Sequence, residues 1–190
     1  MQHNIEVISP VNLLIVQDWD SVISQAKQLI KKSKINNTEI VPYGNATFYH
    51  IGPLGSVCQH DISENWHNVV GPWAKKYLPW LDHLMADMAS LEPRYAISVM
   101  DGYGGEHTDF PDVPTALNYP ISTTSAETYV KYNGSEYCYP SIANRPWLLD
   151  TQYPHGVRNT EFRVVFNLHF GKKYQEVKQW FDNHPALVYT

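Results

Sequence analysis

The apolar positions of the first half of the chain recur at helical spacing, broken by short extended runs. Val11-Asn-Leu-Leu-Ile-Val16 predicts a strand or an extended lead-in. Beyond it, Val22, Ile23, Ala26, Leu29 and Ile30 fall on one helical face. Asp18 or Asp20 stands where a cap is needed, and Lys31, Lys32 and Lys34 suit the negative pole of the helix. Glu39 to Ile51, built around Tyr43-Gly-Asn, predicts a hairpin or two short strands. From Ser63 to Leu91 the helical period returns, carried by Trp66, Val69, Trp73, Tyr77, Leu78, Leu81, Leu84 and Met88. Pro72 and Pro79 break or kink it.

From Arg94 the pattern changes. Arg94–Met100, Pro114–Thr123, Ala126–Tyr132, Trp147–Gln152, Gly156–Val157 and Phe162–Phe170 are β-rich runs separated by Gly, Pro, Asn and Ser. No long helix follows until Gln175–Asn183. Strands gathered together, with helices kept apart from them, predict a mainly β, α+β fold rather than an alternating α/β sheet. A double-stranded β-helix (a jelly roll, cupin-like) with helices on one face satisfies the layout. The whole of 1–190 is expected to be one domain. Its helical support spans about 18–91, its β core about 94–171, and its C-terminal helix about 174–183.

The last run carries the sharpest inference. In Arg163-Val-Val-Phe-Asn-Leu-His-Phe170 a period of two puts Val164, Phe166, Leu168 and Phe170 on one wholly apolar face. Arg163, Val165, Asn167 and His169 share the other. A buried guanidinium needs a partner, because an unpaired buried charge is expensive. Either a Glu or Asp supplies it, or an anionic ligand inside the barrel does.

Composition narrows the class without naming a chemistry. The chain is 43% hydrophobic and 17% charged, which suits a globular protein of 190 residues. A net charge of −5 gives no general attraction to nucleic acid. Cys58 and Cys138 form neither a disulfide framework nor a CxxC zinc pattern, so a reduced, cytoplasmic setting is expected. No stretch has the length of a membrane span, and no basic-then-apolar leader opens the chain.

Candidate chemistry sits in Gly104-Gly105-Glu106-His107-Thr108-Asp109 and in His155 of Tyr-Pro-His-Gly-Val. Two histidines and one carboxylate make a facial triad, holding one face of a metal and leaving the opposite positions open. On a strand the i, i+2 spacing of His107 and Asp109 points both to one side. His-x-Asp alone is a weak motif. Its weight comes from the Gly-rich lead-in, the distal His155, and Arg163 eight residues later.

Taken together, these residues resemble the iron(II)- and 2-oxoglutarate-dependent oxygenases. Tyr103-Gly104-Gly105 before His107 and Asp109 is similar to the lead-in of prolyl hydroxylases. His155-Gly-Val-Arg-Asn ending in Arg163-Val-Val-Phe is closer to the aspartyl/asparaginyl β-hydroxylases. The likeness covers roughly residues 94–171, and the gap from His155 to Arg163 is a little shorter than these families show. The resemblance implies a jelly-roll fold and iron held by His107, Asp109 and His155. It also implies 2-oxoglutarate with its far carboxylate on Arg163, O2 as oxidant, and hydroxylation of a protein side chain or a small amino-acid-like substrate.

Asn118 or Tyr119 lies where the family supplies further co-substrate contacts; alternation lets only one face inward, and Asn118 is the expected one. Tyr129 and Tyr132 are candidates to bond a carboxylate, or equally ordinary core and surface tyrosines. Asn167 and His169 share the face of Arg163 and are expected to support the site. Tyr103, Phe110, Arg145, Trp147 and Arg158 are placed to meet substrate, and residues 133–146 or the N-terminal half to set specificity. Two other functions fit the same barrel: a metal-binding cupin with different chemistry, and a non-catalytic binding module.

Overall fold

A computed structural model describes residues 6–33, 39–40, 47–51, 75–101, 104–158, 161 and 163–190. Lys34, the Tyr43-Gly-Asn turn, Cys58, the stretch 63–74 with Pro72, and Tyr103 lie outside the described residues.

The strand of clearest alternation, β12 (Arg163–Phe170), is the middle strand of a seven-stranded sheet. On one side it pairs with β7 (Thr115–Pro120), followed by β10 (Trp147–Asp150) and β1 (Ile8–Pro10). On the other it pairs with β5 (Pro93–Asp101), followed by β4 (Thr47–Ile51) and β3 (Glu39–Ile40). Every one of these pairings is antiparallel. A four-stranded antiparallel sheet in the order β6 (Gly104–His107), β11 (His155–Arg158), β8 (Glu127–Tyr132), β9 (Ser135–Pro140) faces it. Between β8 and β9, Asn133 (φ 49°) and Gly134 (φ 75°) form a two-residue hairpin that needs positive φ at both positions.

The two faces of β12 meet different partners. Val164, Phe166, Leu168 and Phe170 join Leu117 and Tyr119 of β7 under the helices. Those helices are α1 (Trp19–Ser33), α2 (Leu81–Asp87) and α3 (Tyr174–Asn183), which bring Trp19 and Val22, Leu81 and Leu84, and Val177 and Phe181. Trp80 meets Phe166 edge to face at 5.3 Å. Asp18 is the cap of α1, its Oδ1 accepting from the Ser21 N–H at 3.1 Å. The fold is therefore mainly β, with helices on one face of a double-stranded β-helix.

The inner faces of the two sheets pack on each other through Ala116, Leu149, Val7 and Val130. Residues 135–140, to which the sequence assigned no element, form strand β9. The Val11–Val16 run becomes β2 (Leu13–Ile15), which pairs in parallel with β13 (Leu187–Tyr189) as a separate ribbon.

The covered face of β12 sets a stability prediction. Phe166 is 0% exposed and Phe110 is 55% exposed. Phe166→Ala should cost about 3–5 kcal/mol, and Phe110→Ala no more than about 0.5 kcal/mol. Urea unfolding of the two variants checks this.

Candidate metal centre

Cross-strand pairing brings the candidate ligands together. His107 of β6 and His155 of β11 are register partners, with ring centroids 4.4 Å apart. The ladder then slips: Val157 pairs with Gly104, so β6 carries one residue more than β11 over the same span. A bulge of this kind re-aims side chains. Asp109 lies two residues beyond the end of β6, not on the strand as its spacing suggested. Its N–H donates to the Thr151 carbonyl at 3.0 Å, which fixes the loop.

The rings have a defined polarity. His107 Nδ1 lies 2.8 Å from the Gly105 carbonyl and His155 Nδ1 lies 3.0 Å from the Tyr153 carbonyl. A carbonyl can only accept, so each Nδ1 carries a proton, and in the neutral ring each Nε2 then keeps its lone pair. Both Nε2 atoms stand 3.7 Å from Asp109 Oδ1. The three donor atoms all lie within 4.8 Å of one another. Two ligands about 2.1 Å from one ion stand roughly 3 Å apart at a right angle, so a small inward rotation closes the set on a cation. Burial holds the pKa of His155 below the ordinary imidazole value, partly offset by Asp109, which favours the neutral form a metal needs. Two neutral nitrogens and one carboxylate oxygen fit a divalent first-row metal.

Across the same interior lies Arg163, 6% exposed. Its Nη1 reaches Thr128 Oγ1 at 3.4 Å, and its Nε has no partner among the described residues. No carboxylate pairs with it among the described residues, so the salt-bridge alternative finds no support there. Burial pulls its pKa down to about 10, which still leaves it charged at neutral pH.

Asn118 and Tyr119 separate as alternation requires. Tyr119 turns to the helices, where its hydroxyl accepts from the Ile15 N–H at 3.0 Å and donates to Asn144 Oδ1 at 2.9 Å. Asn118 turns inward: its Oδ1 accepts from Asn167 Nδ2 and its Nδ2 donates to the Tyr139 hydroxyl. Burial, the leading cause, raises the Tyr139 phenol pKa, so the hydroxyl keeps its proton; Thr128 also bonds it. Asn118 and Thr128 thus both hold the Tyr139 hydroxyl in the layer of Arg163. The Asn167 Oδ1 is buried without a partner among the described residues.

Tyr139 was not among the expected site residues. The Asn133-Gly134 hairpin is the signal that finds it, because a two-residue turn fixes Thr128 opposite Tyr139. Tyr129, by contrast, lies on the opposite face of β8 from Thr128, stacked under the Arg158 guanidinium at 4.4 Å. It does not meet Arg163. Arg158 is exposed and ion-paired to Glu136 through 2.7 Å contacts on the outer face. Tyr132 packs edge to face on Tyr153 at 4.8 Å. Trp147 stacks on Tyr139 at 5.1 Å, behind the Arg163 layer.

No family model matches the chain, and no curated protein matches it either. Solved structures do. A prolyl-4-hydroxylase from Pseudomonas putida aligns with a TM-score of 0.53 at 10% identity, covering 87% of this chain and 92% of that one. A prolyl hydroxylase from Trichoplax adhaerens, in complex with a hypoxia inducible factor peptide fragment, aligns at 0.55 and 14%, covering 88% and 84%. The fold is that of the prolyl hydroxylases. At such identities the likeness is one of fold. No helix among the described residues is long and apolar enough to cross a membrane.

The geometry yields a metal prediction. An anaerobic iron(II) titration followed by metal analysis should give one ion per chain. His107→Ala with Asp109→Ala should abolish it, and cobalt(II) should occupy the same site. Unchanged stoichiometry in the double variant would show that the ion binds elsewhere.

Proposed function

We propose that the chain is an iron(II)- and 2-oxoglutarate-dependent dioxygenase that hydroxylates a protein side chain or a small amino-acid-like substrate. The observation that carries this reading is Arg163. A charged guanidinium, buried with a free Nε–H and without a carboxylate partner among the described residues, supports an anionic ligand in the interior. The facing triad supports a metal for that ligand to chelate. Single-domain organisation over residues 1–190 and a cytoplasmic setting belong to the same reading.

In this reading His107 and His155, through Nε2, and Asp109, through Oδ1, hold the ion. Arg163 and the Tyr139 hydroxyl bind the far carboxylate of 2-oxoglutarate, and Asn118 and Asn167 line the path between them. The loaded centre would convert 2-oxoglutarate and O2 to succinate and CO2 while a substrate C–H becomes C–OH. The chain's own contribution is position and dryness. A planar guanidinium fixes a carboxylate with two parallel bonds, and the apolar wall of Val130, Ala116 and Leu149 excludes water. A fold neighbour crystallised with a peptide supports including polypeptides among the substrates to be screened.

Two measurements test the reading. With iron and air, the protein should convert 2-oxoglutarate slowly to succinate even without substrate. Iron bound with no succinate under any condition would instead favour a cupin of other chemistry or a binding module. The second is 2-oxoglutarate affinity of the metal-loaded protein under anaerobic conditions. Arg163→Ala should lose roughly 2–5 kcal/mol, about thirty-fold to several thousand-fold, with the metal retained. Arg163→Lys should recover only part, because an ammonium keeps the charge but not the fork. Arg158→Ala should change little, since Arg158 serves Glu136 and Tyr129 on the outer face.

A further inference from the structure

We propose that His169 is a positioning residue for the metal site: its imidazole holds the outer oxygen of the Asp109 carboxylate, so that Asp109 meets the metal through one oxygen only. This rests on His107, Asp109 and His155 being the ligands. Three imidazoles surround that one carboxylate, and they divide its oxygens. His107 and His155 both face Oδ1 at 3.7 Å, whereas His169 Nδ1 faces Oδ2 at 3.6 Å. His169 is absent from the group of donor atoms that lie within 4.8 Å of one another. It is therefore a neighbour of the carboxylate rather than of the ion.

The arrangement answers a real problem. A carboxylate beside a divalent cation can bind through one oxygen or two. In a facial site a second oxygen would fill a position that must stay open for ligands. Asp109 is in a loop, so no strand fixes its side chain. His169 is on the middle strand of the large sheet, between the register partners Ala116 and Arg94. Ala116 leaves room for the ring. Arg94, the other charge facing it, is engaged by Asp112 at 3.0 Å and does not compete for Asp109. At 3.6 Å the contact is longer than a hydrogen bond. It would close to one if Oδ2 turned toward Nδ1 while Oδ1 held an ion. Groups that orient ligands in this way typically alter metal affinity ten- to a hundred-fold when removed.

The test is cobalt(II) affinity of the full chain, by competition with a chelator, together with the visible spectrum of the bound ion. Folding of each variant is checked by near-ultraviolet circular dichroism. His169→Leu should bind cobalt about ten to a hundred times more weakly and with an altered spectrum. His169→Asn places an amide N–H close to the Nδ1 position and should restore affinity and spectrum to near wild type. His169→Gln, equally polar but one carbon longer, should behave like His169→Leu. Wild-type affinity and spectrum in His169→Leu would overturn the positioning role while leaving the triad intact. Loss of all binding in both His169→Leu and His169→Asn would make His169 a ligand and overturn it too. A wild-type chain that bound no cobalt would remove the triad, and this inference with it.

Discussion

Everything around the candidate site depends on the two-sided alternation of one central strand. β12 is buried on both faces, yet the faces are chemically unlike. Four large apolar side chains on one side anchor three helices, and the loss of any of them would open a cavity under Trp80, Leu84 or Phe181. That anchoring prevents a slip in register. A shift by one residue would carry Arg163, Asn167 and His169 into the helical core and expose Phe166 to the interior. The hydrophobic layer thus aims the polar residues, although it touches neither the candidate metal ligands nor the anion site.

The polar layer is costly by itself. Among the described residues Arg163 is taken out of water with one neutral hydroxyl as its hydrogen-bond partner, and Asn167 leaves an acceptor unmatched. A structural role would be served better by an apolar residue of similar volume, as replacements of buried ion pairs elsewhere have indicated. Arg158, five residues earlier, supplies the contrast: on the outer face it has two carboxylates, a ring to lie on, and water. Among the described residues one arginine is fully partnered and the other is short of partners. That asymmetry is what the proposed anion site draws on.

Much of this was legible in the residues and some was not, for definite reasons. The alternation of β12 and the β-rich second half are local patterns, which a sequence displays directly, whereas the i, i+2 spacing of His107 and Asp109 suggested one strand for both and β6 ends at His107. Parity showed that only one of Asn118 and Tyr119 could face inward, without deciding which. Tyr139 was missed because residues 133–146 were considered only for specificity, while Asn133-Gly134 already set the register that delivers it opposite Thr128. For Tyr129 the sequence left a carboxylate contact and an ordinary tyrosine equally open, because nothing in the β8 pattern decides which of its residues look inward. The slip between β6 and β11, and the parallel β2–β13 ribbon, rest on long-range pairing that no window of sequence contains.

Charge balance ties the two halves of the proposed site together. Within the interior, Asp109 and Arg163 are opposite single charges, and histidines that bind a metal do so as neutral rings. Adding a divalent ion alone leaves two uncompensated positive charges in a low-dielectric layer, and adding a dianion alone leaves two negative ones. Adding both returns the sum to zero. Since isolated buried charge is penalised heavily, each ligand should strengthen the binding of the other, and linkage requires the effect to be equal in both directions. The same count separates the oxygenase reading from a cupin that binds only metal. In that case Arg163 would add to the positive excess, and the interior would need a further carboxylate that the described residues do not supply beside it.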